Sequence, residues 1–204
     1  MAGDRSPLRG AVVEGAILIG AAIAIAVVVR ALVAQAFFIP SSSMEPQLLV
    51  GDRVVVSRIA YRLHEPNRGD VVVFDCPPEA TCPPDDEGGA LPVRLLLGAG
   101  EAIGLRQPST EEFIKRVVAL PGERVEGRDS RVYVDGRLLV EPYLRPGTPT
   151  SAFGPVVVPE DHLWVMGDNR TNSSDSRSFG TIEQVTVVGR AVLRVWPPDR
   201  TAFL

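Results

Sequence analysis

The hydrophobic positions divide the chain into an apolar N-terminal segment and a longer region of short strand-like runs. Residues 15–29 carry no charged side chain, and after Arg30 the apolar run continues to Ile39. From residue 12 onward the segment has the roughly 20 residues that span a bilayer as a helix. Arg30 lies near one end, where its long side chain can reach the polar interface. The pattern predicts a transmembrane anchor at 12–36 that follows a short cytoplasmic tail at 1–11.

A cleaved secretory signal is the alternative interpretation of this segment. Ala34, Gln35 and Ala36 form a small-x-small tripeptide of the kind that precedes a signal cleavage site. The apolar run is long for the core of such a signal, which favours an uncleaved anchor. Arg5 and Arg9 precede the run, and positive charge there favours a cytoplasmic N-terminus with the rest of the chain on the outer face of the membrane.

The residues from 37 to 204 follow the pattern of a mainly β domain. Short runs rich in β-branched residues recur there, at 52–61, 69–75, 113–120, 131–140, 162–168 and 185–196. Asp135 and Gly136 separate two strand-like arms and predict a tight hairpin. The pattern predicts antiparallel sheets coiled into a barrel-like domain.

Residues 76–112 interrupt the strand pattern with an insert rich in proline and glycine. An apolar run at 93–105 predicts a short helix, and its glycines do not have the spacing of a dinucleotide-binding loop, so no cofactor is expected. Cys76 and Cys82 are the only cysteines. On an oxidising exterior they would close a small disulfide loop; two free thiols are the alternative, and their spacing does not indicate a metal site.

The charged residues of the chain narrow the classes of function that it can have. The chain has 25 acidic and 21 basic residues, and this balance argues against a nucleic-acid partner. Lys115 is the only lysine, the other basic residues being arginine. A coding bias explains a general preference for arginine, yet only lysine can lose its proton near neutral pH. The retained lysine is therefore a candidate base.

The neighbours of Lys115 suit that chemistry. In a strand, Phe113, Lys115 and Val117 share one face. Burial against apolar groups lowers the pKa of a lysine, and a neutral lysine can take the proton of a serine hydroxyl. A lysine that extends from a sheet surface into solvent is the alternative interpretation.

Two polar stretches offer partners for such a base. The run IPSSSMEP at 39–46 places three serines where the apolar segment ends. If it is extended, alternation places Ser41 and Ser43 on one face and Ser42 on the other. The second stretch, MGDNRTNSSDSRSFG at 166–180, holds four charged residues that can form an ordered network: Asp168, Arg170, Asp175 and Arg177. Neither histidine has the context of a Ser–His pair.

Together these stretches resemble bacterial type I signal peptidases. The matching segments, in the family's order, are IPSSSMEPQLLVGDRVVV, RGDVVVF, EFIKRVVALPGERV and VMGDNRTNSSDSRSFG. The resemblance implies a serine protease with a Ser–Lys dyad, anchored in the cytoplasmic membrane, without metal or cofactor. Such enzymes cleave signal peptides from exported preproteins after small-x-small sites such as A-x-A on the outer face, and membrane lipid is their other partner.

The resemblance also implies a role for each matching residue. Ser43 corresponds to the nucleophile, Lys115 to the general base, and Ser41 to an oxyanion-hole donor beside the Ser43 N–H. Ser173 corresponds to a serine that orients the lysine amine. Supporting positions are Asp168, Asp175, Arg177 and Arg116. Expected substrate-binding residues are Ile39, Pro40, Met44, Phe113 and Ile114.

Three departures from the family pattern and two other functions stay open. Ser42 stands where glycine is usual, Thr171 stands where aspartate is frequent, and the short segment after Lys115 predicts a reduced second β subdomain at 121–160. A protease that processes itself is the first alternative function, and the small-x-small tripeptide leaves it open. A non-enzymatic, anchored extracytoplasmic β domain that binds a partner is the second.

Overall fold

Antiparallel β-sheet makes up most of the fold. The computed structural model describes residues 13–22, 34–78, 80, 105–106 and 112–204. The strands in chain order are β1 (Ala34–Phe38), β2 (Arg53–Ser57), β3 (Val71–Asp75), β4 (Leu105–Arg106), β5 (Glu112–Ala119), β6 (Arg124–Arg128), β7 (Arg131–Val134), β8 (Arg137–Leu138), β9 (Phe153–Val157), β10 (His162–Met166), β11 (Ile182–Glu183), β12 (Val187–Trp196) and β13 (Ala202–Phe203). Short helices cover Ala60–Leu63 and Ser176–Phe179.

The larger sheet has nine strands in the order β11-β10-β5-β3-β12-β2-β1-β4, with β13 beside β12. Its pairs are antiparallel except for β1 and β4, which run parallel. This confirms the prediction of a mainly β, antiparallel fold. The described strands form an open path from β11 to β4, however, and their pairing does not close into a barrel.

The centre of this sheet is buried on both faces, which explains the continuous apolar run in β3. Val71 and Val73 pack into one hydrophobic cluster, whereas Val72 and Phe74 point into another. Strand β5 lies beside β3, and its residues 114–119 are buried. Any polar side chain in that part of β5 is therefore shielded from solvent.

A second sheet has four strands in the order β8-β7-β6-β9 and lies within residues 121–160. Asp135 and Gly136 connect β7 to β8 with φ values of 50° and 73°. Both values are positive, as a two-residue hairpin turn requires, and this confirms the predicted hairpin. A cluster that includes Val118, Val125 and Trp164 joins this sheet to β5 and β10.

The N-terminal segment is described in part. Residues 13–22 form a helix, and Val13, Ile17, Leu18 and Ile19 on it are exposed. Within the described residues, helices fall short of the length and apolar character that a membrane crossing needs. The tail at 1–11 and residues 23–33 of the predicted anchor lie outside the described residues, and Ala34 to Ala36 belong to β1.

Most of the insert at 76–112 also lies outside the described residues. The predicted helix at 93–105 falls there, except for Leu105, which begins β4. Cys76 is a disulfide-bonded cysteine, and Cys82 lies outside the described residues.

Candidate active site

The serine run forms a tight turn between β1 and β2. Ser42–Met44 make one turn of 3-10 helix, and Ser41 precedes it with extended backbone. The expected strand alternation is therefore wrong for this run. The hydroxyls of Ser41 and Ser43 nevertheless lie 3.2 Å apart, because the turn brings residues two positions apart onto one side.

Apolar side chains on either side of the serines hold the turn in place. Ile39 and Met44 are fully buried in a hydrophobic cluster that also contains Leu48. The Leu48 N–H donates to Met44 O at 2.9 Å, and the Gly51 N–H donates to Ile39 O at 2.9 Å. Ile39 and Met44 thus serve the core and offer no accessible side-chain surface to a substrate.

The other three residues expected to contact substrate lie nearer the surface. Pro40 is exposed, Phe113 is half-buried, and Ile114 keeps 8% of its surface accessible. Pro40 and Phe113 therefore have side-chain surface available next to the serine turn and the lysine strand.

Lys115 in β5 reaches the serine turn. Its amine donates to Ser43 Oγ at 3.0 Å and to Ile114 O at 2.8 Å. Burial lowers the pKa of Lys115 to about 8, against the charges of Asp175 and Asp168, which raise it. A serine hydroxyl beside a lysine that loses its proton at mildly alkaline pH is the arrangement needed for acyl transfer.

Arg116, the next residue of β5, connects several loops around this pair. Its guanidinium donates to both carboxylate oxygens of Asp168, at 2.8 and 2.7 Å. It also donates to Gly69 O at 2.7 Å and to the side-chain oxygen of Gln47, and its Cζ lies 4.0 Å from the centre of the Tyr143 ring. The strand that carries the lysine is thereby fixed to the loop that carries the serines.

Asp175 organises the stretch after β10. It caps the helix Ser176–Phe179, accepts two bonds from the Arg177 guanidinium at 2.8 Å, and accepts the Gly167 N–H at 3.0 Å. Burial raises the pKa of the Asp175 carboxyl, but Arg177 and the Gly167 N–H outweigh burial and hold it below its usual range. This carboxylate stays ionised near neutral pH, within the electrostatic reach of Lys115.

A second pair of contacts joins this stretch to the connection between β8 and β9. The buried guanidinium of Arg170 donates to both carboxylate oxygens of Glu141 and, at 3.0 Å, to Thr150 Oγ1. Arg177 donates to Ser151 Oγ at 3.1 Å and to Arg170 O at 2.7 Å. The four charged residues of the stretch therefore form a network, and its partners come from distant parts of the chain.

Ser173 lies close to the pair but does not bind the amine. Its hydroxyl is buried and makes no hydrogen bond to Lys115. It packs against Gly167, where a Cβ would collide with both the Ser173 side chain and Ser43 O. Because residue 167 is glycine, the backbone that follows β10 can approach the serine turn closely.

Two asparagines that the sequence analysis did not single out bind the serine turn. The Asn169 N–H donates to Ser43 O at 2.9 Å, and Asn169 Nδ2 donates to Ser42 O at 3.1 Å. Asn172 Nδ2 donates to Ser42 Oγ at 3.0 Å. Their position between Asp168 and Ser173 was the sole signal that the sequence offered.

The small-x-small tripeptide at 34–36 is held in the sheet. It lies in β1, where Ala36 pairs with Val55 of β2 on one side and with Leu105 of β4 on the other. Cleavage after Ala36 would require β1 to leave both neighbours, so the structure does not present this bond to a protease. Among the described residues, no group of three or more His, Cys, Asp or Glu side chains lies close enough to hold a metal ion.

Sequence comparisons with known proteins agree on one family. Residues 12–196 match the family described as "Signal peptidase, peptidase S26". Signal peptidase I of Mycobacterium tuberculosis (strain H37Rv) is 41% identical over 196 residues, covering 82% of this chain and 67% of that protein. Probable signal peptidase I-2 of Synechocystis is 40% identical over 172 residues, covering 84% and 67%. A crystal structure of a signal peptidase I from Enterococcus faecalis has 28% sequence identity and a TM-score of 0.42, covering 63% of this chain and 98% of that one.

Proposed function

This chain belongs to the signal peptidase family, peptidase S26, and is therefore a serine peptidase that removes signal peptides from preproteins. We propose that Ser43 is its nucleophile and that Lys115 is its general base. The observation that carries this proposal is the 3.0 Å contact between Lys115 Nζ and Ser43 Oγ. It joins the only lysine in the chain to a buried serine 72 positions away.

The mechanism follows from the proton transfers that these two groups can make. Neutral Lys115 takes the proton of the Ser43 hydroxyl as Ser43 Oγ attacks the scissile carbonyl carbon. When the acyl-enzyme forms, the ammonium returns that proton to the leaving amine. Lys115 then takes a proton from water as the water attacks the ester, and it gives that proton to Ser43 Oγ as the ester bond breaks and the signal peptide leaves. Only the neutral amine can begin this cycle.

The pH dependence of cleavage tests the role of the lysine. Because burial lowers the pKa of Lys115 to about 8, we expect kcat/KM to rise about tenfold per pH unit below that value and to level off above it. At pH 7 the enzyme should therefore work at about one tenth of its alkaline plateau. Initial rates on one preprotein between pH 6 and 10, at constant ionic strength, measure this. A profile without a basic-group titration near pH 8 would contradict the assignment.

The oxyanion of the tetrahedral intermediate needs donors beside Ser43. We assign this role to the Ser43 N–H and the Ser41 hydroxyl, since the two hydroxyls lie 3.2 Å apart on the same side of the turn. Loss of one such donor typically costs about 10²–10³-fold in rate. The charged residues Asp168, Asp175, Arg177 and Arg116 have supporting roles: their ion pairs hold the loops around the pair.

The proposal also covers which sites in preproteins the enzyme cleaves. We propose that exported preproteins are cleaved after small-x-small sites such as A-x-A, with Pro40, Phe113 and Ile114 near the small side chains. Support comes from the position of these residues, since Phe113 and Ile114 precede Lys115 in β5 and Pro40 precedes the serine turn. In this proposal the surface beside the nucleophile has room for alanine and excludes larger groups.

A set of preproteins tests this selectivity. The reference is a detergent-solubilised preprotein with alanine at positions −3 and −1, and we expect it to be cleaved at that site. Leucine at −1 should lower kcat/KM by about 10²-fold, the order of effect expected when several methylene groups must be rejected. Leucine at −2 is the matched control, because the small-x-small pattern leaves that position free. Equal cleavage of the −1 and −2 variants would refute the pocket assignment.

Membrane attachment completes the proposal. We propose that the N-terminal apolar segment anchors the chain in the cytoplasmic membrane, with its N-terminus in the cytoplasm and the catalytic residues on the outer face. The exposed apolar side chains on the helix at 13–22 support a lipid contact there. The anchor would hold the serine turn close to the bilayer, where the apolar core of a signal peptide also resides.

A further inference from the structure

The peptide unit between Ser42 and Ser43 holds the proposed oxyanion donor. The carbonyl of Ser42 and the N–H of Ser43 belong to this one planar group, so they point in opposite directions. Whatever fixes the carbonyl therefore also aims the N–H. The Ser42 carbonyl accepts two hydrogen bonds, from the Glu45 N–H at 3.1 Å within the turn and from Asn169 Nδ2 at 3.1 Å across the site.

Asn169 holds both ends of the nucleophile's backbone. Besides the bond from its side chain to Ser42 O, its own N–H donates to Ser43 O at 2.9 Å. Thr171 Oγ1 donates to Asn169 Oδ1 at 3.3 Å, which turns the Nδ2 donor of the amide toward Ser42. The Glu45 bond is local to the turn, whereas the Asn169 bonds tie the turn to the stretch after β10.

We propose that Asn169 is a positioning residue for the oxyanion hole: its side-chain amide fixes the Ser42–Ser43 peptide plane and so aims the Ser43 N–H at the oxyanion. The inference rests on the proposed function and extends it to a residue outside the Ser43–Lys115 pair. A donor that is aimed before the reaction stabilises the oxyanion without reorganisation. A hydrogen bond to the carbonyl also polarises the N–H of the same unit, which strengthens that donor.

Two isosteric substitutions separate this role from general packing. Asn169→Asp removes the donor and places a carboxylate oxygen against Ser42 O, which can only accept a hydrogen bond. Asn172→Asp makes the same chemical change three residues away, opposite Ser42 Oγ. A hydroxyl can donate as well as accept, so the Ser42 side chain can bind the new carboxylate. Equal changes in charge and size should therefore have unequal effects on rate.

The experiment compares the full-length wild type, Asn169→Asp, Asn169→Leu and Asn172→Asp on one A-x-A preprotein in detergent. Rates are measured on the alkaline plateau, where Lys115 is neutral in every variant. A change in the Lys115 pKa caused by a new carboxylate then does not alter the measured rate. We expect kcat to fall about 10²-fold in Asn169→Asp and about tenfold in Asn169→Leu, with KM little changed. Asn172→Asp should stay within about threefold of the wild type.

A second measurement reports on the oxyanion itself. Ser43 Oγ attacks the carbonyl carbon of a peptide aldehyde with an A-x-A sequence, and the hydroxyl proton passes to the carbonyl oxygen. The product is a hemiacetal whose former carbonyl oxygen occupies the oxyanion hole. We expect Asn169→Asp to weaken aldehyde binding by about the factor lost in kcat, because both depend on the same donor. A substitution that merely loosened the fold would lower the melting temperature without this parallel loss.

The possible results of these experiments distinguish the positioning role of Asn169 from the proposed function itself. Wild-type kcat in Asn169→Asp, equal losses in Asn169→Asp and Asn172→Asp, or a loss of kcat without loss of aldehyde affinity would each overturn the positioning role. Failure of the wild type to cleave the preprotein would overturn the proposed function and this inference with it. Cleavage by the wild type with unaffected Asn169 variants would overturn the inference alone.

Discussion

Replacement of Ser43 by alanine should lower kcat for preprotein cleavage by at least about 10⁴-fold. The change removes the one hydroxyl that lies 3.0 Å from Lys115 Nζ, and no acyl-enzyme can form without it. The fold should persist, because the turn is held by backbone bonds and by the buried side chain of Met44 rather than by the Ser43 hydroxyl. Circular dichroism and thermal unfolding of the same preparation check that condition.

Ser174→Ala is the matched control for this substitution. Ser174 is an exposed serine in the stretch after β10, and its hydroxyl contacts Ser178 rather than the lysine. The same chemical change there should leave the rate within about twofold of the wild type. A serine-reactive acylating inhibitor should label the wild type and Ser174→Ala but not Ser43→Ala. Cleavage by Ser43→Ala would exclude Ser43 as nucleophile, and the absence of any cleavage or labelling in the wild type would favour a non-enzymatic domain.

Replacement of Lys115 by methionine should cause a loss of similar size, at least about 10⁴-fold in kcat. Methionine has nearly the length of lysine and suits the apolar surroundings of β5, but it cannot accept a proton. Among the described residues neither histidine is hydrogen-bonded to Ser43, since His64 and His162 contact the carbonyls of Glu65 and Glu160. We therefore expect no recovery of activity as the pH rises to 10.

The same variant should be more stable than the wild type at neutral pH. The pKa of Lys115 falls from 10.5 to about 8 on folding, so the unfolded chain holds this proton more tightly. Below pH 8 both states are protonated, and the folded state bears the full cost of a buried ammonium, on the order of 3 kcal/mol. Between pH 8 and 10.5 that cost disappears as the folded state loses the proton.

Denaturant unfolding of the wild type and of Lys115→Met at pH 7 and pH 10 measures the effect. Lys115→Met should gain up to about 3 kcal/mol at pH 7 and much less at pH 10. An inactive variant that is also less stable at pH 7 would show that the amine contributes to the fold through its bonds to Ser43 and Ile114, and would weaken the case for a neutral base.

Local features of the fold could be predicted because they depend on neighbouring residues. The hairpin at Asp135 and Gly136 needs only two residues that accept positive φ, and the burial of β3 follows from its apolar run. The proximity of Ser41 and Ser43 was expected from strand alternation, but a 3-10 turn produces it instead. Such a turn is set by how Ile39 and Met44 enter the core, which alternation alone does not reveal.

Contacts between residues from distant segments could not be predicted from local sequence patterns. The pairing of Lys115 with a serine came from resemblance to a family, since 72 residues separate the two. Asn169 was missed because its role depends on the carbonyl that faces it. Ser173 was expected to hold the lysine amine, and the structure places its hydroxyl against Gly167 instead. In each case the order of strands decides which loops meet, and no local pattern encodes that order.

The buried contact of Arg170 with Glu141 and Thr150 has a consequence for how the molecule unfolds. The guanidinium belongs to the stretch beside the serine turn, and its partners belong to the connection within the small sheet. If the small sheet melted first, it would leave a buried positive charge without its counter-ion, at a cost of several kcal/mol. The stacking of Arg116 on Tyr143 couples the two regions further. We therefore expect the four-stranded sheet and the catalytic loops to unfold in one cooperative transition, so that the small sheet stabilises the active conformation without contributing a reacting group.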